Sequence, residues 1–220
     1  MNRIVDYFNI VCTGFAFAYG AHVSFKKTGV LFLQIITCAF GCFFLGNIYD
    51  LCRFFCLGEY YKDISKSGLG IGALGYMGGL TFLFSSYYGA MDRIGDDRSD
   101  KLIKFRIISL IPFFFNILVC FIMLRLSIKI NIYFWICTFL LSVISYFAFK
   151  HMILPDIDNG ILKSLRFYNF LVLTFCIVQN LYNIFCLTQT ATSTFLKIIS
   201  GCIILAIMPS ANRGVKKWYT

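Results

Sequence analysis

Charge is scarce in this chain. Only 14% of its 220 residues are Asp, Glu, Lys or Arg, against roughly 25% in a typical soluble domain, and the mean hydropathy is +0.78. Proline is rare too, with three residues, and the 17 glycines follow no fixed period. These values exclude a soluble globular fold, a disordered chain and a collagen-like chain.

Patterns that hold metals or disulfide scaffolds are also missing. No C-x-x-C occurs, the two histidines lie far from any cysteine pair, and nearly all of the ten cysteines sit inside apolar segments. The cysteines therefore indicate buried thiols, and neither a zinc site nor a copper path has support. We expect no cofactor from these residues.

Long apolar segments dominate what is present. Each approaches the ~20 residues that a helix needs to cross a ~30 Å hydrocarbon core, and unbroken runs such as FWICTFLLSVISYFAF are unlike the alternating strands of a porin. The sequence predicts an all-α, polytopic transmembrane bundle over residues 1–220, with no soluble domain. The seven predicted spans are about 4–22, 30–49, 69–90, 106–124, 131–149, 166–187 and 194–212.

The distribution of Lys and Arg predicts the orientation, because cytoplasmic loops retain positive charge. Thirteen of these residues fall in the first, third and fifth connections and in the C-terminal tail, against six on the opposite side. The six are Arg3, Lys62, Lys66, Arg125, Lys129 and Lys197. We expect the N-terminus outside and the C-terminus inside, in a plasma (inner) membrane. An alternative makes residues 1–18 a cleaved signal peptide, which leaves six spans.

Polar residues within the predicted spans recur at helical spacing, which places them on shared faces. One stripe joins Asp6, Asn9 and Thr13 on the first span. Such residues are costly in hydrocarbon, so they face a polar cavity or form hydrogen bonds between helices. The candidate ligand-binding residues are Asp6, Asn47, Asp50, Arg53, Asn116, Asn180 and Asn183.

Glycines mark one face of the third span. Gly68, Gly72, Gly75 and Gly79 follow one another at steps of four, three and four residues. A face without side chains lets a neighbouring helix approach closely, which is a common way to pack helices in lipid. We interpret these glycines as a helix-packing surface.

Carboxylates cluster in the loop that follows. Asp96, Asp97 and Asp100 are interspersed with Arg and Lys, and the spacing resembles the aspartate-rich motif of prenyl-diphosphate enzymes, whose carboxylates hold Mg²⁺ against a diphosphate. A solvated loop of surface ion pairs is the competing interpretation. Mg²⁺ is thus an alternative cofactor only, at these three residues.

Residues 68–115 form a block of four consecutive segments. They are a glycine-rich helix, the string SSYYGAMD, the Asp-rich loop and the apolar segment that begins with KFRIISLIP. This block resembles uncharacterised bacterial seven-helix inner-membrane proteins. The resemblance implies a membrane protein and adds no catalytic residue.

No catalytic constellation and no extramembrane domain are apparent in this sequence. We therefore expect a non-enzymatic membrane sensor, signal-coupling or accessory component. A small-solute or ion transporter is the first alternative, and a Mg²⁺-dependent prenyl- or phosphotransferase is the second. The expected partners are the lipid bilayer and either other membrane proteins or further copies of the chain; the basic residues are too dispersed for nucleic acid.

Overall fold

The part of the chain that the structure describes is almost entirely helical. The computed structural model describes residues 3–57, 71–91, 103–125, 132–154, 161–185 and 191–219, and no β-strand occurs in these ranges. The predicted all-α class is confirmed. The main helices are α1 Arg3–Ala21, α2 Leu31–Leu57, α3 Ile71–Ser85, α4 Leu110–Arg125, α5 Ile132–Ile153, α6 Arg166–Phe185 and α7 Ala191–Tyr219. Short helices at Ile103–Ile108 and Ile161–Ser164 precede α4 and α6.

Two of the helices continue into π-helical segments, α1 through His22–Thr28 and α3 through Ser86–Met91. The first of these segments ends at Gly29, whose φ is 63° and whose N–H donates to the carbonyl of Ser24 at 2.9 Å. This left-handed conformation is readily available to glycine because it has no Cβ. Gly29 therefore ends the first helix, and α2 follows at once.

Within the described ranges, five helices are long and apolar enough to cross a membrane. Their backbone polar groups are satisfied within the helix, as an environment without water requires. The chain is therefore a multi-pass membrane protein. The five segments are Ile4–Thr28, Leu31–Cys56, Tyr133–Ile153, Arg166–Phe185 and Ala191–Lys217.

Large apolar side chains cover the outside of the bundle. Phe15 on α1 is 68% exposed, Leu45 on α2 is 65% exposed, and Phe195 on α7 is 62% exposed. Phe114 and Phe139 extend the same surface on α4 and α5. In water this contiguous apolar surface would be unusual for a monomer, whereas in a bilayer it meets the lipid acyl chains.

Each of the seven predicted spans contains a helix, but their lengths differ from the prediction. α3 and α4 have only 15 and 16 residues, while α2 and α7 have 27 and 29. α2 continues to Leu57 because no Pro or Gly interrupts it after the apolar core ends. α7 begins three residues before the predicted span, at Ala191.

Six of the helices form a closed ring. Going round it, α1 packs against α2, α2 against α3, α3 against α5, α5 against α6, α6 against α7, and α7 against α1. α4 lies outside this ring, mainly against α5. The first and last helices are therefore neighbours.

The two ends of the ring differ. At the end where α2 and α6 begin, aromatic side chains close the interior. The Tyr87 hydroxyl donates to the side-chain carbonyl of Asn169 at 3.0 Å, and the Tyr87 ring stacks on the ring of His151 at 5.9 Å between centroids. Tyr87, Tyr168 and Asn169 are all fully buried. The opposite end contains a cavity.

Candidate ligand-binding cavity

A cavity of about 350 Å³ lies inside the ring at the end where α1, α3, α5 and α7 begin. All six ring helices contribute side chains to its wall. Its lining consists of Asn9, Thr13, Phe43, Gly46, Asn47, Asp50, Arg53, Gly72, Ala73, Tyr76, Tyr133, Phe175, Gln179, Tyr182, Asn183, Lys197, Ser200 and Ile204. Ligand sites of helical bundles are commonly built in this way, from side chains on facing helices.

An ion pair stands at the wall between α1 and α7. The Lys197 ammonium, which lines the cavity, contacts the Asp6 carboxylate. The two side chains are only 21% and 25% exposed, so the pair is largely withdrawn from water. Lys197 also lies 5.9 Å from the centre of the Tyr182 ring, within the range of a cation–π contact.

The part of the wall where α2 meets α3 carries the Asp50 carboxylate, which lies against glycines. A Cβ on Gly72 would overlap the Asp50 carboxylate, so the absence of a side chain at Gly72 makes room for that group. One turn along, a Cβ on Gly75 would lie 2.8 Å from the Cα of Gly46. The backbones of α2 and α3 are therefore in direct contact, and this contact holds Asp50 in the wall.

Amides and hydroxyls form the middle of the cavity. Asn9 donates to the backbone carbonyls of Val5 at 3.0 Å and Lys197 at 3.3 Å, which ties α1 to α7 beside the ion pair. The Ser200 hydroxyl donates to the side-chain carbonyl of Gln179 at 3.1 Å. Together with Asn47, these groups offer both donors and acceptors to a ligand.

The floor is aromatic. The Phe43 ring lies 5.3 Å from the Tyr76 ring and 6.0 Å from the Phe175 ring, between centroids. The Tyr76 hydroxyl is buried and has no hydrogen-bond partner among the described residues. A buried hydroxyl that lines a cavity can donate to a ligand atom, and such groups usually find a partner.

The predicted ligand-binding residues divide between two places. Asn47, Asp50, Arg53 and Asn183 line the cavity, and Asp6 holds Lys197, which also lines it. Asn116 and Asn180 lie elsewhere, in a buried polar group between α4, α5 and α6.

That polar group is a chain of hydrogen bonds. Asn180 donates to the Asn116 side-chain carbonyl at 2.9 Å, and Asn116 donates to the Ser145 hydroxyl at 2.9 Å. All three residues are fully buried. The arrangement attaches α4 to the ring from outside, which is the helix-to-helix bonding that polar residues in hydrocarbon form.

Three of the predicted packing glycines lie against α2. Besides Gly72 and Gly75, a Cβ on Gly79 would overlap the Phe43 ring. Gly68 lies outside the described residues, as do the candidate Mg²⁺ ligands Asp96, Asp97 and Asp100. Among the residues that the structure describes, no three His, Cys, Asp or Glu side chains converge as metal ligands would.

Several cavity residues were not among the predicted site residues. In the sequence, Lys197 falls in the first turn of the predicted seventh span, where a lysine indicates orientation. In the structure α7 begins earlier, and Lys197 is its seventh residue. Tyr76 and Tyr182 carry no sequence signal beyond lying in apolar segments, whereas Gln179 is a polar residue within a predicted span, four residues before Asn183. Asn9 and Thr13 share a helical stripe with Asp6, and that spacing does indicate a polar face.

Comparisons with known proteins add no relative. The chain matches no family model, and neither curated proteins nor solved structures give a match.

Proposed function

We propose that this protein is a non-enzymatic bacterial plasma-membrane sensor or signal-coupling component that binds a small solute in the cavity. The observation that carries the proposal is the cavity wall, to which all six ring helices contribute. A solute bound there touches every helix of the ring. If it prefers one packing arrangement of the helices, it shifts the population toward that arrangement.

α7 supplies a route from the cavity to the other side of the membrane. It is one helix of 29 residues from Ala191 to Tyr219, with Pro209 inside it, and it is about 43 Å long at ~1.5 Å per residue. Lys197 lies in the cavity wall near its beginning, and the basic residues Lys216 and Lys217 lie in its last turn. A partner protein on the far side could therefore respond to a change in the tilt of α7.

In this proposal the chain has seven spans, with the N-terminus outside and the C-terminus inside. The excess of Lys and Arg on one side supports this orientation, and the resemblance of residues 68–115 supports the bacterial inner membrane. The cavity then opens outward. A C-terminal fluorescent-protein fusion should fluoresce and a C-terminal alkaline phosphatase fusion should be inactive; an active phosphatase would reverse the orientation.

Ligand binding is tested by thermal unfolding of the detergent-purified protein against a library of amino acids, amines, organic acids and sugars. A ligand that binds only the folded state raises its melting temperature by mass action. Ala73→Phe places a ring in the cavity, whereas Leu74→Phe enlarges a side chain that is 55% exposed on the outside of the same helix. We expect Ala73→Phe to abolish the stabilisation and Leu74→Phe to preserve it; equal responses would place binding outside the cavity.

A small-solute transporter is the second candidate, favoured by the difference between the two ends of the ring. A cavity at one end and a closed aromatic layer around Tyr87 and Asn169 at the other correspond to one of the two states that alternating access requires. Proteoliposomes separate the two functions, because a transporter exchanges radiolabelled solute across the bilayer and a sensor only binds it.

A further inference from the structure

Chemical groups are layered along the axis of the cavity. On α2, Arg53, Asp50 and Asn47 follow one another at intervals of three residues, which is a step of about 4.5 Å along the helix. Phe43 precedes Asp50 by seven residues, or about 10 Å along the helix, and it forms the floor with Phe175. Charge therefore lies toward the mouth and aromatic surface at the base.

Both signs of charge occur in the outer layer. Arg53 and Asp50 belong to α2, Lys197 belongs to α7, and Asp6 contacts Lys197 from α1. Among the residues that the structure describes at the cavity wall, these four charges sum to zero, and they come from three helices.

This balance discriminates between classes of ligand. A simple cation would be attracted by Asp50 but repelled by Arg53 and Lys197, and a simple anion would meet the reverse. A ligand that carries both an ammonium and a carboxylate places each charge beside its opposite. The net charge of the layer then stays at zero.

The lower part of the cavity and its volume further restrict the class of ligand. The floor of Phe43, Phe175 and Ile204 suits an apolar group. The amides of Asn9, Asn47 and Gln179, higher in the cavity, suit a polar group. A volume of about 350 Å³ is near the lower limit of ligand sites, which run from about 300 to 1,000 Å³. The space fits a molecule of amino-acid size.

We infer that the cavity binds an amphipathic zwitterion of amino-acid size, with its charged end among Arg53, Asp50 and Lys197 and its apolar end on the aromatic floor. This inference rests on the proposed function and assigns its ligand class. The ligand's ammonium lies toward Asp50 and its carboxylate toward Arg53 and Lys197.

The experiment compares matched probes on the detergent-purified full chain. L-Leucine and L-phenylalanine are the zwitterions; 3-methylbutylamine and phenethylamine keep only the positive charge. The N-acetyl amino acids keep only the negative charge, and the N-acetyl amides keep neither. All probes, with the remaining proteinogenic amino acids, are titrated by thermal unfolding of the wild type, Asp50→Asn and Leu74→Phe.

We expect at least one amino acid with an apolar side chain to raise the melting temperature. Its amine and N-acetyl counterparts should need at least tenfold higher concentrations, about 1.4 kcal/mol in binding free energy. Asp50→Asn should lose the response to the zwitterion, and Leu74→Phe should keep it.

Two results would overturn the inference in different ways. Stabilisation by an amine, an N-acetyl amino acid or a sugar, with no response to any zwitterion, shows that the cavity binds ligand of another class and leaves the proposed function standing. If no probe in this set or in the wider library stabilises the protein, both the ligand class and the proposed sensor function are wrong.

Discussion

The Lys197 ammonium contacts the Asp6 carboxylate and joins the last helix of the protein to the first. Both groups are about three-quarters buried, and Asn9 donates to the carbonyl of Lys197 from the neighbouring turn of α1. The seam between α1 and α7 is therefore held by charge and by hydrogen bonding at the level of the cavity.

Removing one member of this pair should destabilise the protein more than removing both. Asp6→Asn leaves the Lys197 ammonium in a largely buried position without its contacting carboxylate, at a cost of about 1–3 kcal/mol. The double variant Asp6→Asn with Lys197→Met should recover part of that loss. Thermal unfolding in detergent measures both, with exposed Lys217→Met as the control; additive losses would show that the pair is not coupled.

The contact between α2 and α3 predicts a difference between two glycines of one helix. A Cβ at Gly75 would lie 2.9 Å from the Cys42 carbonyl oxygen, which is backbone and cannot move aside, whereas a Cβ at Gly78 would lie 3.5 Å from the Cys42 sulfur. Gly75→Ala should separate the helices and cost about 1–3 kcal/mol.

Gly78→Ala should be close to neutral, because 3.5 Å is ordinary van der Waals contact. Alanine also favours the helix over glycine. Yield and melting temperature of the two variants provide the comparison, and equal tolerance would contradict the close contact at Gly75.

The buried amides between α4 and α6 should affect stability without affecting ligand binding. Asn116→Leu removes the side-chain acceptor of the Asn180 amide and the donor to the Ser145 hydroxyl, at about 1–2 kcal/mol. Ser145 keeps its bond to the Ser142 carbonyl, and Asn180 keeps the longer one to the Asn116 backbone carbonyl. The double variant Asn116→Leu with Asn180→Leu should be less damaging than the sum of the single changes. Because neither residue lines the cavity, the ligand-induced shift in melting temperature should stay at the wild-type value; its loss would link this group to the site.

Variants of the loop with Asp96, Asp97 and Asp100 distinguish the sensor hypothesis from the transferase hypothesis. Exposed ion pairs contribute about 0–1 kcal/mol each, so changing all three to Asn should leave the melting temperature nearly unchanged. Wild-type protein should gain no stability from Mg²⁺ with pyrophosphate. A Mg²⁺-dependent stabilisation that Asp97→Asn abolishes would favour the transferase.

Hydropathy was sufficient to predict the class of fold, because a helix that crosses lipid must be apolar over most of its length. It was less informative about helix ends. Asp50 and Arg53 marked the edge of the apolar run, yet α2 continues past them to Leu57, since charged residues at the interface do not break a helix. Glycine and proline are the residues that signal such an end, and Gly58 directly follows Leu57 in the sequence.

The composition of the cavity was harder to predict because it depends on which helices are neighbours. The spacing of Asn47, Asp50 and Arg53 places them on one face of a helix from sequence alone. Nothing in the sequence says that this face meets Lys197 across a cavity, or that α4 lies outside the ring. Asn116 and Asn183 are both asparagines within predicted apolar spans. Only the tertiary arrangement places Asn116 in a contact between helices and Asn183 in the cavity wall.

Closure of the ring between α1 and α7 imposes an order on synthesis. Helices that emerge from the ribosome first must wait for the last one, because residues 6 and 197 are 191 positions apart. Until α7 inserts, the polar face of α1 has no Lys197 to neutralise Asp6 and no carbonyl at that residue for Asn9. A nascent chain that stops before α7 therefore exposes an unpaired carboxylate within its first helix, and the cavity wall is completed only when α7 is in place.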